Sequence, residues 1–314
     1  MNIKKRVFSL LSSCYVVGCL FAQNILISTP TTSLVLSAPE KGELKYIYYG
    51  AKLSDRDFQT IGSLNKGKYA AYPVYGLNCP SEVALAVKHN DGNMTLQLEV
   101  VKVESSHQDE ANLTIISLKD KVYPFYVKMY YKAYQDTDII EIWSEISHQE
   151  KKTVVLNQFA SAYLPIRKGD VWLSHLYGAW ANEGRLEEVP LEAGMKVIKN
   201  KDGVRNSHTA HAEVMFSLDG KPRENEGRVI GAALCYSGNY KLRIDTDESD
   251  YHHFFAGINE DNSTYNLKNG EIFRTPELAL TYSDEGLSGS SRNFHRWARL
   301  HKLANGTKLR KILL

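Results

Sequence analysis

The amino-acid sequence predicts an all-β fold of stacked antiparallel sheets, with one helix near the C-terminus. Short segments of alternating apolar and polar residues recur along the chain, and turn sequences such as Asn90-Asp91-Gly92-Asn93 separate them. Tyrosine, which favours strands, occurs 19 times. Few segments repeat apolar residues at helical spacing. Strands that follow one another so closely favour a large sandwich over a parallel α/β sheet, which needs long crossovers.

Individual strands are identified by their alternation. TLQLEVVKVE (95–104) places leucine and valine on one face and shifts phase at Val101, as a bulged strand does. YPFYVKMYYKAYQ (123–135) and DIIEIWSEISH (138–148) are rich in β-branched and aromatic residues. The segments KTVVLNQFASAYLPI, GRVIGAALCYSGNYKLRID and TPELALTYS have the same character, so we expect strands there too.

The helix is predicted over SGSSRNFHRWARLHKL (288–303). Serines that suit a helix cap open this segment, and Phe294, Trp297, Ala298 and Leu300 follow near helical spacing.

The N-terminus is typical of a secretory leader. MNIKKR is basic, and the uncharged, mostly apolar stretch that follows ends in a small residue at Ala22. This stretch is shorter than the roughly 20 residues that span a bilayer. We expect cleavage after Ala22, with a lipoprotein-type cleavage that leaves Cys19 lipidated as the alternative. Either leader predicts an exported, periplasmic protein.

Composition excludes several classes of function. The formal net charge of +2 and the lack of a basic stripe argue against nucleic-acid binding. The sequence contains no phosphate-binding loop, no dinucleotide fingerprint and no G-x-S-x-G nucleophile elbow.

Cys79 and Cys235 either pair in an oxidising compartment or remain free thiols, because sequence alone does not show that they are close.

The polar clusters of the sequence do not match a known arrangement of catalytic residues. The histidine pairs at 208/211 and 252/253 are candidate metal ligands, but no cysteine or tight carboxylate cluster flanks them, so we expect no metal. The acidic runs at 55–57 and 245–250 contain enough carboxylates for a glycosidase pair, although such runs are usually solvated turns.

One aromatic residue has unusual neighbours. In LYGAWANEGRL (176–186), Trp180 follows Gly178 and Ala179 and precedes several polar residues. Sugar sites place flat rings against the C–H faces of a pyranose. From its neighbours alone, Trp180 is equally compatible with core packing at a strand end and with presentation to a ligand.

Several phrases together resemble a known family. LKYIYYGAKL, YPVYGLNCPSEVALAVKHNDGN, LYGAWANEGR, CYSGNYKL and TPELALTYSDEGLSGSSRNFHRWAR resemble, in the same order, the N-terminal domain of glycoside hydrolase family 36 α-galactosidases, particularly Bacteroides-type members. The likeness runs from about Asn24 to the end of the chain.

The resemblance implies a β-supersandwich of the galactose mutarotase-like type, which in the family precedes a (β/α)8 barrel. It also implies retaining hydrolysis of terminal α-galactosides by two aspartates that both lie in the barrel, without a cofactor. We therefore expect a signal peptide over 1–22, the sandwich over 23–287, and a linker helix with the start of the barrel over 288–314. Because the chain ends on Ile312-Leu313-Leu314, we expect the barrel to be missing and the chain alone to be inactive.

The resemblance assigns two substrate-binding residues and an oligomeric state. Trp180 matches a tryptophan that the family places at the sugar pocket of a neighbouring subunit in a tetramer. Asp57 matches an aspartate that reaches the sugar hydroxyls, with Asp55 as the alternative, since the segment after Gly50 is short. The partners implied are α-galactoside sugars and further copies of the chain.

Two other functions remain open at this stage. The chain is alternatively a standalone carbohydrate-binding or assembly module that does not require a barrel. In the second alternative, its own carboxylates hydrolyse sugars.

Overall fold

The computed structural model describes residues 23–39, 41–64, 67–76, 82–205 and 208–303. The predicted leader, Cys19 and Cys79 lie outside these residues, and Cys235 is an unpaired, exposed thiol. The described part is dominated by strands, as the sequence predicts. No helix within it has both the length and the apolar character needed to cross a bilayer.

Strands β1 to β10 lie between residues 23 and 179: Gln23–Ser28, Thr32–Ala38, Lys45–Ala51, Leu85–Lys88, Leu98–Gln108, Ala111–Asp120, Phe125–Tyr134, Ile140–His148, Val154–Ile166 and Trp172–Ala179. Strands β11 to β19 follow: Asn182–Pro190, Gly194–Lys199, Ala210–Ser217, Val229–Leu234, Tyr240–Thr246, His252–Ile258, Tyr265–Leu267, Ile272–Arg274 and Leu278–Ser283. Helix α1 covers Asp55–Leu64, helix α2 covers Gly286–Trp297, and a π-helical turn covers Ala298–Lys302.

The strands form three antiparallel sheets. The ten-stranded sheet has the order β11-β10-β13-β14-β19-β8-β7-β6-β5, with β18 paired to β8. The six-stranded sheet has the order β12-β15-β16-β9-β17, with β4 paired to β9, and β1-β2-β3 form a small third sheet. The register between β5 and β6 shifts between Val100 and Lys102, which confirms the bulge predicted at Val101.

The core lies between the two large sheets. The rings of Phe216 on β13 and Phe254 on β16 meet edge to face across it, with centroids 5.1 Å apart. Alternate residues of β7, Phe125, Val127, Met129 and Tyr131, are fully buried on the same side. Burying each such side chain contributes about 2 kcal/mol. Because alternate residues of a strand point to the same face, the alternation in the sequence predicts which face of the sheet is buried.

Helix α2 covers the outer face of the ten-stranded sheet. Trp297 is buried among Ala111, Tyr134 and Ala279 in a second, smaller apolar cluster. Gly231 of β14 allows the close approach, since a Cβ there would lie 2.7 Å from the ring of Phe294. The C-terminal helix is thus confirmed, although it begins two residues before the predicted 288 and ends in a π-helical turn.

Helix α1 is an element that our sequence analysis did not predict. Ser54 caps it, because its Oγ accepts a hydrogen bond from the Asp57 N–H at 3.2 Å and donates to the Asp57 carboxylate at 2.7 Å. The signal was present in the sequence as Ser54-x-x-Asp57 followed by Phe58, the pattern of a capping box.

Candidate functional site

Trp180 lies at the tip of the β10–β11 hairpin. The last cross-strand pair joins Ala179 to Asn182, so Trp180 and Ala181 form the turn. The Trp180 side chain is 84% exposed. Among the described residues, no aromatic ring or cation stacks on it. Of the two interpretations that the sequence allowed, core packing is therefore wrong, and the indole is presented at the surface.

Gly178 and Ala181 shape the backbone of this tip. A Cβ on Gly178 would lie 2.7 Å from the Asn182 carbonyl oxygen and 3.1 Å from that of His208, so only glycine fits between these backbone segments. Ala181 has a φ of +57°, in the left-handed region, and its N–H donates to the Glu183 carboxylate at 3.1 Å. The turn that exposes Trp180 is thus fixed by local backbone geometry.

Ala181→Gly is expected to stabilise the chain. The left-handed conformation costs a residue with a Cβ about 1 kcal/mol, and glycine does not have this cost. We expect a higher urea midpoint with an unchanged slope of the unfolding free energy against urea. Ala179→Gly on the adjacent strand position is the control and should destabilise, so a fall in stability for both variants would contradict this account of the turn.

Asp57 lies in the first turn of α1 and is exposed. One of its carboxylate oxygens accepts the hydrogen bond from Ser54, and the neighbouring Asp55 is also exposed. Asp57 lies close enough to Tyr48 of β3 for its charge to affect the pKa of that phenol. No hydrogen bond, ring contact or cavity of the described residues joins Asp57 to Trp180.

The histidine pairs have ordinary structural partners. His252 and His253 are adjacent in β16 and buried; His252 Nδ1 bonds the Thr246 hydroxyl at 2.8 Å. His253 bonds the Tyr163 hydroxyl through Nδ1 at 2.8 Å and the Asp247 carboxylate through Nε2 at 3.2 Å. In the other pair, His211 Nδ1 lies 3.6 Å from the Glu213 carboxylate, on β13.

The described residues contain one group with the composition of a metal site: Glu110, Asp136 and His301. His301 Nε2 lies 2.9 Å from both oxygens of Asp136, and Nδ1 lies 3.6 Å from Glu110. The two carboxylates therefore face different ring nitrogens, whereas a single ion binds one nitrogen of an imidazole. This arrangement fits a bridging ion pair that fastens the π-helical turn to the sheet.

The acidic run at 245–250 is only partly a solvated turn. Asp245 lies in β15 and is buried, and burial raises the pKa of its carboxyl. Asp247 accepts hydrogen bonds from the N–H groups of Ser249 and Tyr251. Burial opposes its ionisation, but these bonds and the bond with His253 outweigh it and lower the pKa of Asp247 to about 2. Asp247 thus holds the turn after β15 and pairs with His253.

Comparison with known proteins shows the family. The chain has a large antiparallel sandwich fold with an exposed aromatic hairpin, and residues 42–268 match the model of the glycosyl hydrolase family 36 N-terminal domain. The chain therefore belongs to this family.

Relatives in the family are named as α-galactosidases. The chain is 32% identical over 300 residues to alpha-galactosidase Mel36A of Lactobacillus acidophilus, and this alignment covers 84% of the chain and 40% of that relative. It is 30% identical over 200 residues to alpha-galactosidase AgaA of Geobacillus stearothermophilus, and that alignment covers 64% of the chain and 27% of the relative.

The fold agrees with solved structures of such enzymes. The crystal structure of the family 36 alpha-galactosidase AgaA superposes with a TM-score of 0.83 at 23% identity, over 92% of this chain and 45% of that one. The chain thus spans less than half the length of the relatives that it matches.

Proposed function

We propose that this chain serves as the N-terminal domain of an exported α-galactosidase that hydrolyses terminal α-galactosides with retention of configuration. The observation that carries the proposal is the exposed indole of Trp180 in a chain that belongs to this domain family. A ring held 84% exposed by a fixed turn is available to a surface outside its own fold. In this proposal, that surface is the sugar pocket of a neighbouring subunit in a homo-oligomer, with tetramer as the expected order.

Asp57 has a second part in the proposal. Its carboxylate is exposed at the start of α1, and within the described residues only one of its oxygens accepts a hydrogen bond, from Ser54, which leaves the other available to a sugar hydroxyl. Hydrolysis itself requires two carboxylates on opposite sides of the glycosidic bond. We place both in a barrel domain outside residues 1–314, with 288–314 forming the linker and the first part of that barrel. The leader, cleaved after Ala22 or lipidated at Cys19, exports the protein to the periplasm.

The chain alone is expected to show no hydrolysis of an aryl α-galactoside, whereas the chain extended through the coding sequence downstream of Leu314 should be active. The reason is that a retaining glycosidase without its nucleophile and its acid loses the covalent step. Both proteins are purified in parallel and assayed for release of the aryl alcohol.

Two outcomes would contradict the proposal. Turnover by the chain alone that disappears on a single Asp→Asn change within it would place the catalytic pair here. A downstream sequence that encodes no barrel would instead favour a standalone carbohydrate-binding or assembly module.

A further inference from the structure

A groove with a volume of about 450 Å³ runs between β3 and the ends of β9, β14 and β19. We call it the tyrosine groove, and the residues used below are Tyr48, Tyr282, Lys68, Arg167, Lys168 and Arg228. Its volume is within the range of roughly 300–1,000 Å³ that is usual for small-molecule sites. Helix α1, with Asp57, follows directly from the β3 wall.

The groove is cationic. Among the described residues that line it, four carry a positive charge and none is acidic. Arg167 and Lys168 have no ion-pair partner in the described part of the chain. Arg228 is held by Asp219 through Nε and Nη2, which leaves its Nη1 group without a hydrogen-bond partner among those residues. Lys68 lies over the rings of Tyr69 and Tyr251, at 4.9 and 4.5 Å from their centroids.

Tyr282 also lines the groove and is only 7% exposed as a residue. Its hydroxyl is not fully enclosed, and it makes no hydrogen bond with another of the described residues. Burial raises its pKa, and the charge of Arg228 opposes this shift, so the phenol stays protonated and the guanidinium lies near it. A ligand with an acceptor at this place would give the hydroxyl a hydrogen-bond partner.

Tyr48 forms the opposite wall. Its hydroxyl donates to the Ala51 carbonyl at 2.8 Å, and its ring lies beside Gly50, where a Cβ would approach the hydroxyl oxygen to 2.9 Å. The absence of a side chain at Gly50 therefore lets the ring lie along the groove. Its pKa is raised by burial, and the nearby charges of Arg228 and Arg167 oppose this rise, so both cations lie close to the same ring.

We propose that the tyrosine groove binds a monosaccharide that carries one acidic group, either a carboxylate or a phosphate. Arg167, Lys168 and the free edge of Arg228 supply charge-assisted hydrogen bonds to the acid. Tyrosine rings supply an apolar wall for the C–H face of the sugar, and the Tyr282 hydroxyl bonds a ring oxygen or hydroxyl. This goes beyond the proposed function, since the ligand is bound by residues of this chain and is not an α-galactoside.

The test is calorimetric titration of the purified chain with D-galacturonate, D-galactose 6-phosphate, D-galactose and inorganic phosphate. We expect at least one acidic sugar to bind about tenfold more tightly than either galactose or phosphate, because only it engages both the cations and the rings. The first two ligands distinguish a carboxylate from a phosphate as the acidic group. Binding should weaken as salt rises, as it does for exposed charges.

Two variants assign the binding to the groove. Arg167→Gln removes a cation, Tyr282→Phe removes only the hydroxyl, and each is expected to weaken binding about tenfold. Lys128→Gln, on the exposed face of β7, removes the same charge elsewhere and should leave the affinity unchanged. Circular dichroism confirms that each variant is folded.

Three results would overturn the proposal. The first is no binding of either acidic sugar by the folded chain. The second is galactose or phosphate binding as tightly as the acidic sugars. Tight binding of galactose would show that the acidic group is not recognised, and tight binding of phosphate would show that the sugar is not recognised. The third is equal affinity of Arg167→Gln and the native chain. None of these results depends on α-galactoside hydrolysis, so this proposal and the proposed function can fail separately.

Discussion

Replacement of Arg243 by alanine is expected to lower the free energy of unfolding by about 3–5 kcal/mol. Arg243 lies in β15 and is buried, and its Nη1 is 3.0 Å from the Glu82 carboxylate and 4.0 Å from that of Glu260. Its Nη2 donates to the Val83 carbonyl at 3.0 Å. Removal of the guanidinium takes a buried counter-charge from two partly exposed carboxylates and a hydrogen bond from the Val83 carbonyl.

The chain offers a matched control in Arg274. This arginine also pairs with a glutamate, Glu277, and lies over an aromatic ring, but more than half of its side chain is exposed. Solvent screens such a pair, so Arg274→Ala should cost about 0–1 kcal/mol. The stability of both variants is measured by urea unfolding followed by tyrosine and tryptophan fluorescence. The slope of the unfolding free energy against urea concentration should be the same as in the native chain.

The difference between the two arginines is what the experiment tests. Equal losses of unfolding free energy in the two variants would show that the buried ion pairs of Arg243 stabilise the chain no more than a surface ion pair does. A variant Arg243→Met, which fills the space without the charge, separates packing from electrostatics. We expect it to remain less stable than the native chain, because Glu82 and Glu260 still lose a counter-charge.

Local features of this fold were predictable from the sequence. Alternation located the strands of the large sheets because one face of each meets the core, and the phase shift at Val101 located a bulge for the same reason. Helix α1 was missed because its surface is mostly polar and its strongest signal is a cap, Ser54 with Asp57, that also resembles an acidic turn. Asp245 was expected in a turn, yet its strand places it in a buried position.

Long-range features were not predictable in this way. The tyrosine groove joins Tyr48 to Tyr282, which are more than 230 positions apart, because the small sheet packs so that β3 contacts β19 of the ten-stranded sheet. A single sequence does not specify how two sheets pack against each other. Trp180 is an intermediate case: its small neighbours were visible, but the left-handed φ of Ala181, which turns the indole outward, is a property of the folded hairpin.

Trp180→Ala in the extended enzyme is expected to raise KM for an α-galactoside by about thirtyfold, equivalent to about 2 kcal/mol, the usual loss for an aromatic anchor. The thermal midpoint should hardly change, because substitutions of exposed residues usually alter stability by less than about 0.5 kcal/mol. Leu186→Ala, which removes another exposed apolar side chain from the same hairpin, is the control and should leave KM unchanged. A large loss of thermal stability with native KM would instead show that Trp180 stabilises the protein and does not bind the sugar.

The same variant also tests whether the ring acts on its own subunit or on a neighbour. Subunits with Trp180→Ala keep an intact catalytic pair, and subunits with an inactivated nucleophile keep the indole. If the ring serves the neighbouring pocket, mixed oligomers formed after dissociation and reassembly will contain sites with both parts and will recover native KM in a fraction of the population. If the ring serves its own pocket, no mixed site is complete, and KM stays at the value of the variant. Recovery of native KM on mixing is therefore the specific result that the exposed hairpin predicts.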